Sequence, residues 1–202
     1  MKFSETLQKI LPFGYLFLVI LGILKESIYY YQVGINILKY SNIMDILISP
    51  IADLTSTPLI LSVFIVYLII LYIINLLITK NSNKDWLKKR INLKKPISEI
   101  TEEEVKTFCS KLIIGIFAVG LLSFFLGIGL GSGVKVAKKI SKNTLNYDYK
   151  MTFGDDEIRD IFLIGSNSSY YFYVEKGSRN VKISPVLAIK SIEIIKNKRL
   201  NK

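Results

Sequence analysis

The chain alternates long apolar stretches with short lysine-rich ones, and the length of each apolar stretch is its most informative property. Residues 58–79 carry no charge and consist mainly of Leu, Ile and Val. At about 1.5 Å per residue, a helix over this stretch reaches roughly 33 Å, enough for a hydrocarbon core of about 30 Å. Pro58 suits its first turn, where the missing N–H would have no helical partner. Residues 112–134 form a second uncharged stretch, rich in Leu, Ile, Phe and Gly. A third, 11–24, is shorter and is interrupted by Lys25-Glu26. No small-residue cleavage signal follows it, the first alanine being Ala52, and Tyr29-Tyr30-Tyr31 stands where an interfacial aromatic belt belongs. The pattern therefore predicts three membrane-spanning helices at about 9–31, 58–79 and 112–134, with Lys25 snorkelling to the interface.

Between the first two spans, Ser41 is placed to cap a short interfacial helix over about 41–49, closed by Pro50. Ile43, Met44, Ile46, Leu47 and Ile51 lie near one face of it, with Asp45 opposite. In the loop 80–111, Trp86, Leu87, Ile91 and Leu93 interleave with Lys88, Lys89, Arg90, Lys94 and Lys95. That is the composition of a basic surface dipping an apolar edge into headgroups, and equally that of a topology signal. Thr101 and Glu104 have capping-box spacing, so the third span begins as a helix before it meets lipid. Within that span Ser123, Gly127 and Gly131 recur every four residues, a stripe suited to close helix packing; Gly129 and Gly133 repeat the spacing. The stripe serves a seam within one bundle, self-association between copies or, less favoured, a glycine-lined pore.

After residue 134 the pattern changes period. Short runs at 149–153, 159–165, 170–175, 180–184 and 190–195 are separated by turn residues such as Gly165-Ser166-Asn167-Ser168 and Lys176-Gly177-Ser178. They predict a small all-β domain over 146–202, a meander or barrel, beside a membrane domain over 1–134. The closing order, Val181 to Pro185, then Val186 to Ile189, then Ser191 to Ile194, resembles the end of five-stranded SH3-like barrels. The resemblance covers some fifty residues, without an invariant motif, and implies a closed barrel. Alternation places Tyr170, Phe172 and Val174 on one face and Tyr171, Tyr173 and Glu175 on the other. Tyr171 and Tyr173 are candidates for a contact surface, against a core role that weighs more.

Charge then orients the chain. Nine cations lie around the loop between spans two and three, and only Lys25 and Lys39 around the loop before it. The positive-inside rule puts the basic loop and the N-terminus in the cytoplasm and the β-domain outside, in the periplasm of a bacterium with this protein in its inner membrane. Lys135, Lys138, Lys139, Lys142 and Lys150 follow span three and pull the other way; keeping them inside would require span three to be a re-entrant hairpin.

Composition closes off most chemistry. Histidine is absent and cysteine occurs once, which excludes imidazole bases, Cys/His zinc sites, intrachain disulfides and Ser-His-Asp catalysis. Asp155-Asp156-Glu157 lacks the spacing of a calcium loop and reads as a solvated turn. No phosphate loop or metalloprotease motif is present, and no catalytic, cofactor or metal residue is assigned. Spans two and three hold no ionisable coupling group, which disfavours transport. The formal charge of +11 has anionic lipid as its nearest counterpart. From residue 134 onward 14 cations face seven anions, which suits nucleic acid only if that segment is cytoplasmic. The expectation is a non-enzymatic membrane accessory, scaffold or sensing protein that acts through lipid and protein contacts, with itself or a partner, and takes no small-molecule substrate. An oligomeric pore-forming or membrane-perturbing effector, as in phage defence, and a membrane-anchored nucleic-acid or nucleotide reader are the alternatives.

Overall fold

The computed structural model describes residues 2–91 and 96–195. Five helices, α1 (Lys2–Tyr31), α2 (Ile43–Ser56), α3 (Pro58–Asn81), α4 (Asp85–Ile91) and α5 (Glu102–Ser141), precede strands β1 (Tyr149–Phe153), β2 (Ile158–Ser166), β3 (Tyr170–Glu175), β4 (Val181–Pro185) and β5 (Ile189–Ile194). Stretches of α1, α3 and α5 are long and apolar enough to cross a membrane. At about 1.5 Å per residue, the 40 residues of α5 extend some 60 Å, far beyond what lipid requires. The helix runs without a break, so the re-entrant hairpin does not form.

The chain divides into two compact units, one of residues 51–124 and one of residues 1–50 with 125–202. In the first, α3 meets the opening half of α5. The Tyr67 hydroxyl donates to the Ile116 carbonyl at 3.0 Å, and its ring stacks on Phe117 at 6.3 Å. Below them Leu87, Ile100, Val105 and Cys109 form a small core. The expected capping box is present: Glu104 N–H donates to Thr101 Oγ1 at 3.2 Å and Thr101 N–H to Glu104 Oε2 at 3.1 Å.

In the second unit, α1 and the closing half of α5 run parallel. A Cβ on Gly129 would lie 2.7 Å from the Lys25 carbonyl oxygen, and one on Gly133 2.6 Å from that of Tyr29. Both helices advance four residues between these contacts, which fixes their common direction. Each helix ends on a left-handed residue, with a six-to-one hydrogen bond that satisfies a final carbonyl. Gly34 has φ 78° and Ile35 N–H donates to Tyr30 O at 3.0 Å. Asn143 has φ 53° and Thr144 N–H donates to Lys139 O at 3.0 Å.

The strands form one antiparallel sheet in the order β4-β3-β2-β1-β5. The meander β1 to β4 is as expected, and β5 returns to lie beside β1. The sheet is open, with β4 and β5 as its edges, so the closed barrel implied by the SH3-like resemblance is not formed. Closure is unnecessary because helices cover one face. On that face Ile164, Phe172 and Val174 pack with Tyr30, Ile35, Ile37 and Leu145, together with Val136 and Ile140 of α5. On the other, Met151, Ile161 and Tyr173 form a separate core with Phe153, Leu163, Ile189 and Ile192.

Candidate functional site

The feature most distinctive of this chain is the seat where the sheet meets the ends of the membrane helices, and it is built from aromatic residues with polar tips. Tyr29 and Tyr30 sit in the last turn of α1, one sequence step apart and therefore on different sides of the helix. Tyr29 donates its hydroxyl to the Ile164 carbonyl at 2.9 Å. Tyr30 packs its ring on Phe172 at 5.0 Å, and its hydroxyl occupies the space where Gly165 has no Cβ. The pairing register of β2 with β3 shifts between Leu163 and Gly165, which brings that glycine under the hydroxyl. Tyr40, just after the 3-10 turn Ile37–Lys39, adds edge contacts to Tyr170 at 5.4 Å and Phe172 at 6.0 Å.

A polar rim surrounds this apolar seat. Asn167, in the β2–β3 turn, donates from Nδ2 to the Tyr40 carbonyl at 3.0 Å, and its Oδ1 accepts the backbone N–H groups of Ser169 and Tyr170. Asp45 accepts from the Ser168 N–H and hydroxyl, both at 3.1 Å. Asn42 and Asp45 also cap α2 reciprocally, at 2.9 and 3.1 Å. Asn42 is therefore the cap expected of Ser41, whose hydroxyl is instead 3.2 Å from Asn167 Nδ2. Nor does Pro50 close α2: the helix runs through it to Ser56, with Ile46 and Pro50 buried.

A charged cluster holds α2 against α1. Lys25 donates to Glu26 Oε1 at 2.6 Å and to Ser49 Oγ at 2.7 Å, and the Ser49 hydroxyl bonds the same carboxylate. Lys25 is 7 % exposed, so it does not snorkel as expected; Ser49 reaches it because α2 crosses α1 here, with the Ile46 carbonyl against Gly22. The contact joins residues 23 or 24 apart in sequence, beyond any helical periodicity.

Among the described residues, the stripe Ser123, Gly127 and Gly131 does not meet another helix of this chain. Ser123, Gly127 and Gly131 are exposed, and a Cβ on Gly127 or Gly131 would meet nothing within 4 Å. The buried contacts belong to Gly129 and Gly133. At about 100° per residue, an offset of two puts these stripes on nearly opposite sides of α5.

Tyr173 is 2 % exposed within the second core, where its hydroxyl meets Ser184 Oγ at 3.0 Å, and Tyr171 is half-buried beside it. Of the two tyrosines expected to offer a contact surface, Tyr173 is therefore a core residue, while Tyr171 stays partly accessible on a face whose apolar residues pack on one another. On α4, Trp86, Lys89 and Arg90 are exposed and Lys88 is half-buried, whereas Leu87 and Ile91 turn into the small core instead of presenting an edge to headgroups. Leu93, Lys94 and Lys95 lie outside the described residues, as does the end of the expected β-domain, 196–202.

Ion pairs cover the outer surface of the sheet. Glu175 accepts from Arg159 and Lys182, each at 2.7 Å. Burial pushes its pKa up, but these two bonds outweigh it and hold the carboxyl below its usual range. Asp160 is also lowered, by its bond from Lys176 at 2.9 Å, which raises the lysine in turn. Arg159, Asp160, Glu175 and Lys176 line a shallow depression with Ile158. Of the acidic turn, Asp156 pairs with Lys190 at 2.6 Å and Glu157 with Arg159. Among the described residues no group of three or more His, Cys, Asp or Glu is arranged to hold a metal ion. The chain matches no protein-family model, no curated protein and no solved structure.

Proposed function

We propose that this chain is a non-enzymatic membrane scaffold, which holds a small basic β-domain in a fixed attitude on one face of a bilayer, where a protein partner meets it. The observation that supports this is the seat: Tyr29, Tyr30 and Tyr40 of the helical segment share one core and a polar rim with Ile164, Asn167 and Phe172 of the sheet. A domain on a mere tether would need no such surface, and a sheet this small gains stability by sharing a core. Parallel α1 and α5 leave lipid on the same side, which requires the chain to return once between them. The apolar helix α3 is suited to that return. With the basic loop held inside by its cations, the N-terminus is cytoplasmic and the β-domain external in the inner membrane of a bacterium.

Two experiments test this. A phosphatase fused after Lys202 should be active and a fluorescent protein in the same place dark; the reverse pair would put the domain in the cytoplasm and revive nucleic acid as its ligand. A photo-crosslinker at exposed Lys176 or Arg179 should then capture a discrete foreign protein in cells, and no adduct at either position would refute the scaffold.

The outward stripe of Ser123, Gly127 and Gly131 favours a second reading, self-association of α5 into a pore or membrane-perturbing assembly. Crosslinks between copies at Gly127, with dye leakage from liposomes carrying the purified protein, would establish it, and a strict monomer in lipid would exclude it.

A further inference from the structure

The most solvent-exposed apolar side chain of the sheet is Leu187, 99 % exposed at the 3-10 turn Val186–Ala188 between β4 and β5. Pro185 and Ala188 beside it are exposed as well. A lone exposed leucine is unremarkable; its location relative to the membrane level is not.

That level is marked on three helices. On α1 the stretch able to cross lipid extends to Tyr31, with the Lys25–Glu26 pair inside its last two turns. On α5, Gly129 packs on the Lys25 carbonyl and the first cation after the apolar run is Lys135. At the same height α2 crosses α1, held by Ser49 and by the Gly22–Ile46 approach. Ile43, Met44 and Ile48 on α2 are more than half exposed. This part of α2, with Asn42 and Asp45 engaged by the sheet, thus presents outward apolar residues near the end of the α1 span. From Asp45 the connection to Leu187 takes two short steps: Ser168 bonds Asp45, and Val186 N–H donates to the carbonyl of neighbouring Ser169 at 2.9 Å.

We propose that the turn 185–188 is a second membrane contact, in which Leu187 enters the boundary between headgroups and acyl chains beside α2. It rests on the reading that α1, α3 and α5 span the bilayer. Lipid is the occupant because the turn is hydrogen-bonded into a surface that continues onto the outward Ile43 and Met44 of α2. The nearby acidic turn, joined through Gly154 N–H to the Ala188 carbonyl at 3.1 Å, has its Asp156 held by Lys190, which limits repulsion from anionic headgroups. The sheet is thereby fixed by two supports, the tyrosine seat and the leucine turn.

Tryptophan fluorescence in nanodiscs tests this with the full chain. In a Trp86→Phe background, single tryptophans are introduced as Leu187→Trp, as Ile69→Trp on the exposed side of α3, and as Arg179→Trp in the turn after β3, which runs away from Ser169. The discs contain phosphatidylcholine and phosphatidylglycerol, plain or brominated near the carbonyl end of the acyl chains. Position 187 should show blue-shifted emission quenched by the brominated lipid, position 69 should be blue-shifted as well, and position 179 should be red and unquenched. Water-like emission at 187 with a normal control at 69 overturns the leucine contact alone. Blue-shifted but unquenched emission at 187 means that protein covers it, and overturns the contact too. Water-like emission at 69 overturns the spanning reading and the contact with it.

Discussion

Adding one methyl group to α5 should have opposite effects on its two sides. In Gly133→Ala the new Cβ would sit 2.6 Å from the Tyr29 carbonyl oxygen and 2.8 Å from Gln32 Cγ; in Gly129→Ala it would sit 2.7 Å from the Lys25 carbonyl oxygen. Ordinary contact is about 3.4 Å or more, so α5 must retreat by roughly 0.7 Å from α1, opening contacts along the whole interface. Backbone carbonyls cannot swing aside as a side chain would. Overpacking of this kind costs about 1–3 kcal/mol, and the double variant should cost more than either single one. Gly127→Ala and Gly131→Ala meet nothing within 4 Å and exchange a flexible residue for a good helix former, worth up to about 1 kcal/mol in the stabilising direction. The assay is reversible unfolding in mixed micelles, followed by the summed fluorescence of the 12 tyrosines. Equal losses on both sides, or a larger loss at Gly127 than at Gly133, would refute the parallel packing of α1 on α5. A loss at Gly127 that grows with protein concentration would instead reveal self-association through that stripe.

Phe172→Ala removes a fully buried ring lying between Tyr30 and Tyr40, and should destabilise the sheet by about 3–5 kcal/mol in urea unfolding, against less than 1 kcal/mol if the ring were peripheral. Tyr67→Phe removes the hydroxyl bonded to the Ile116 carbonyl and should cost about 0.6 kcal/mol, at most about 1.7, by steric trapping in bicelles; a larger loss would show that the hydroxyl does more than join α3 to α5. Acid should weaken the sheet. The carboxyls of Glu175 and Asp160 are held below their ordinary values of 4.5 and 3.8, so their contribution is complete above those values and disappears as pH falls through the lower folded ones. Lys176 is raised, so its share persists at neutral pH and is lost only on the alkaline side, beyond 10.5. Urea midpoints should be level from pH 7 to about pH 5 and fall below that; Glu175→Gln should lower the neutral midpoint and flatten the acid fall, and an unchanged acid slope would refute the assignment.

The elements of this protein are largely one-dimensional properties, which is why they could be read from residues alone. Whether a stretch can cross lipid depends on its length and on the absence of charge, both local. Strand positions followed from alternation and turn residues and agree with the structure to within a residue or so at each end. The Thr101–Glu104 cap likewise needs only local spacing. Periodicity, however, marks a face as distinctive without naming its neighbour. Two glycine stripes run along α5, and only the folded chain shows that Gly129 and Gly133 meet α1 while Gly127 and Gly131 face outward. Alternation likewise divided β3 into two faces but left open that residues on both are buried, because the helical residues packed with Phe172 lie some 130–140 or some 30 residues earlier in the chain and Tyr173 packs with residues of β1, β2 and β5. Lys25 found Ser49, and Asn167 found Tyr40, through contacts of 24 and 127 residues' separation that no local pattern encodes. The residues alone thus determined which segments seek lipid and which form strands, since those preferences belong to each segment by itself. Tertiary structure decided which faces meet, since that depends on the whole set of surfaces competing for burial.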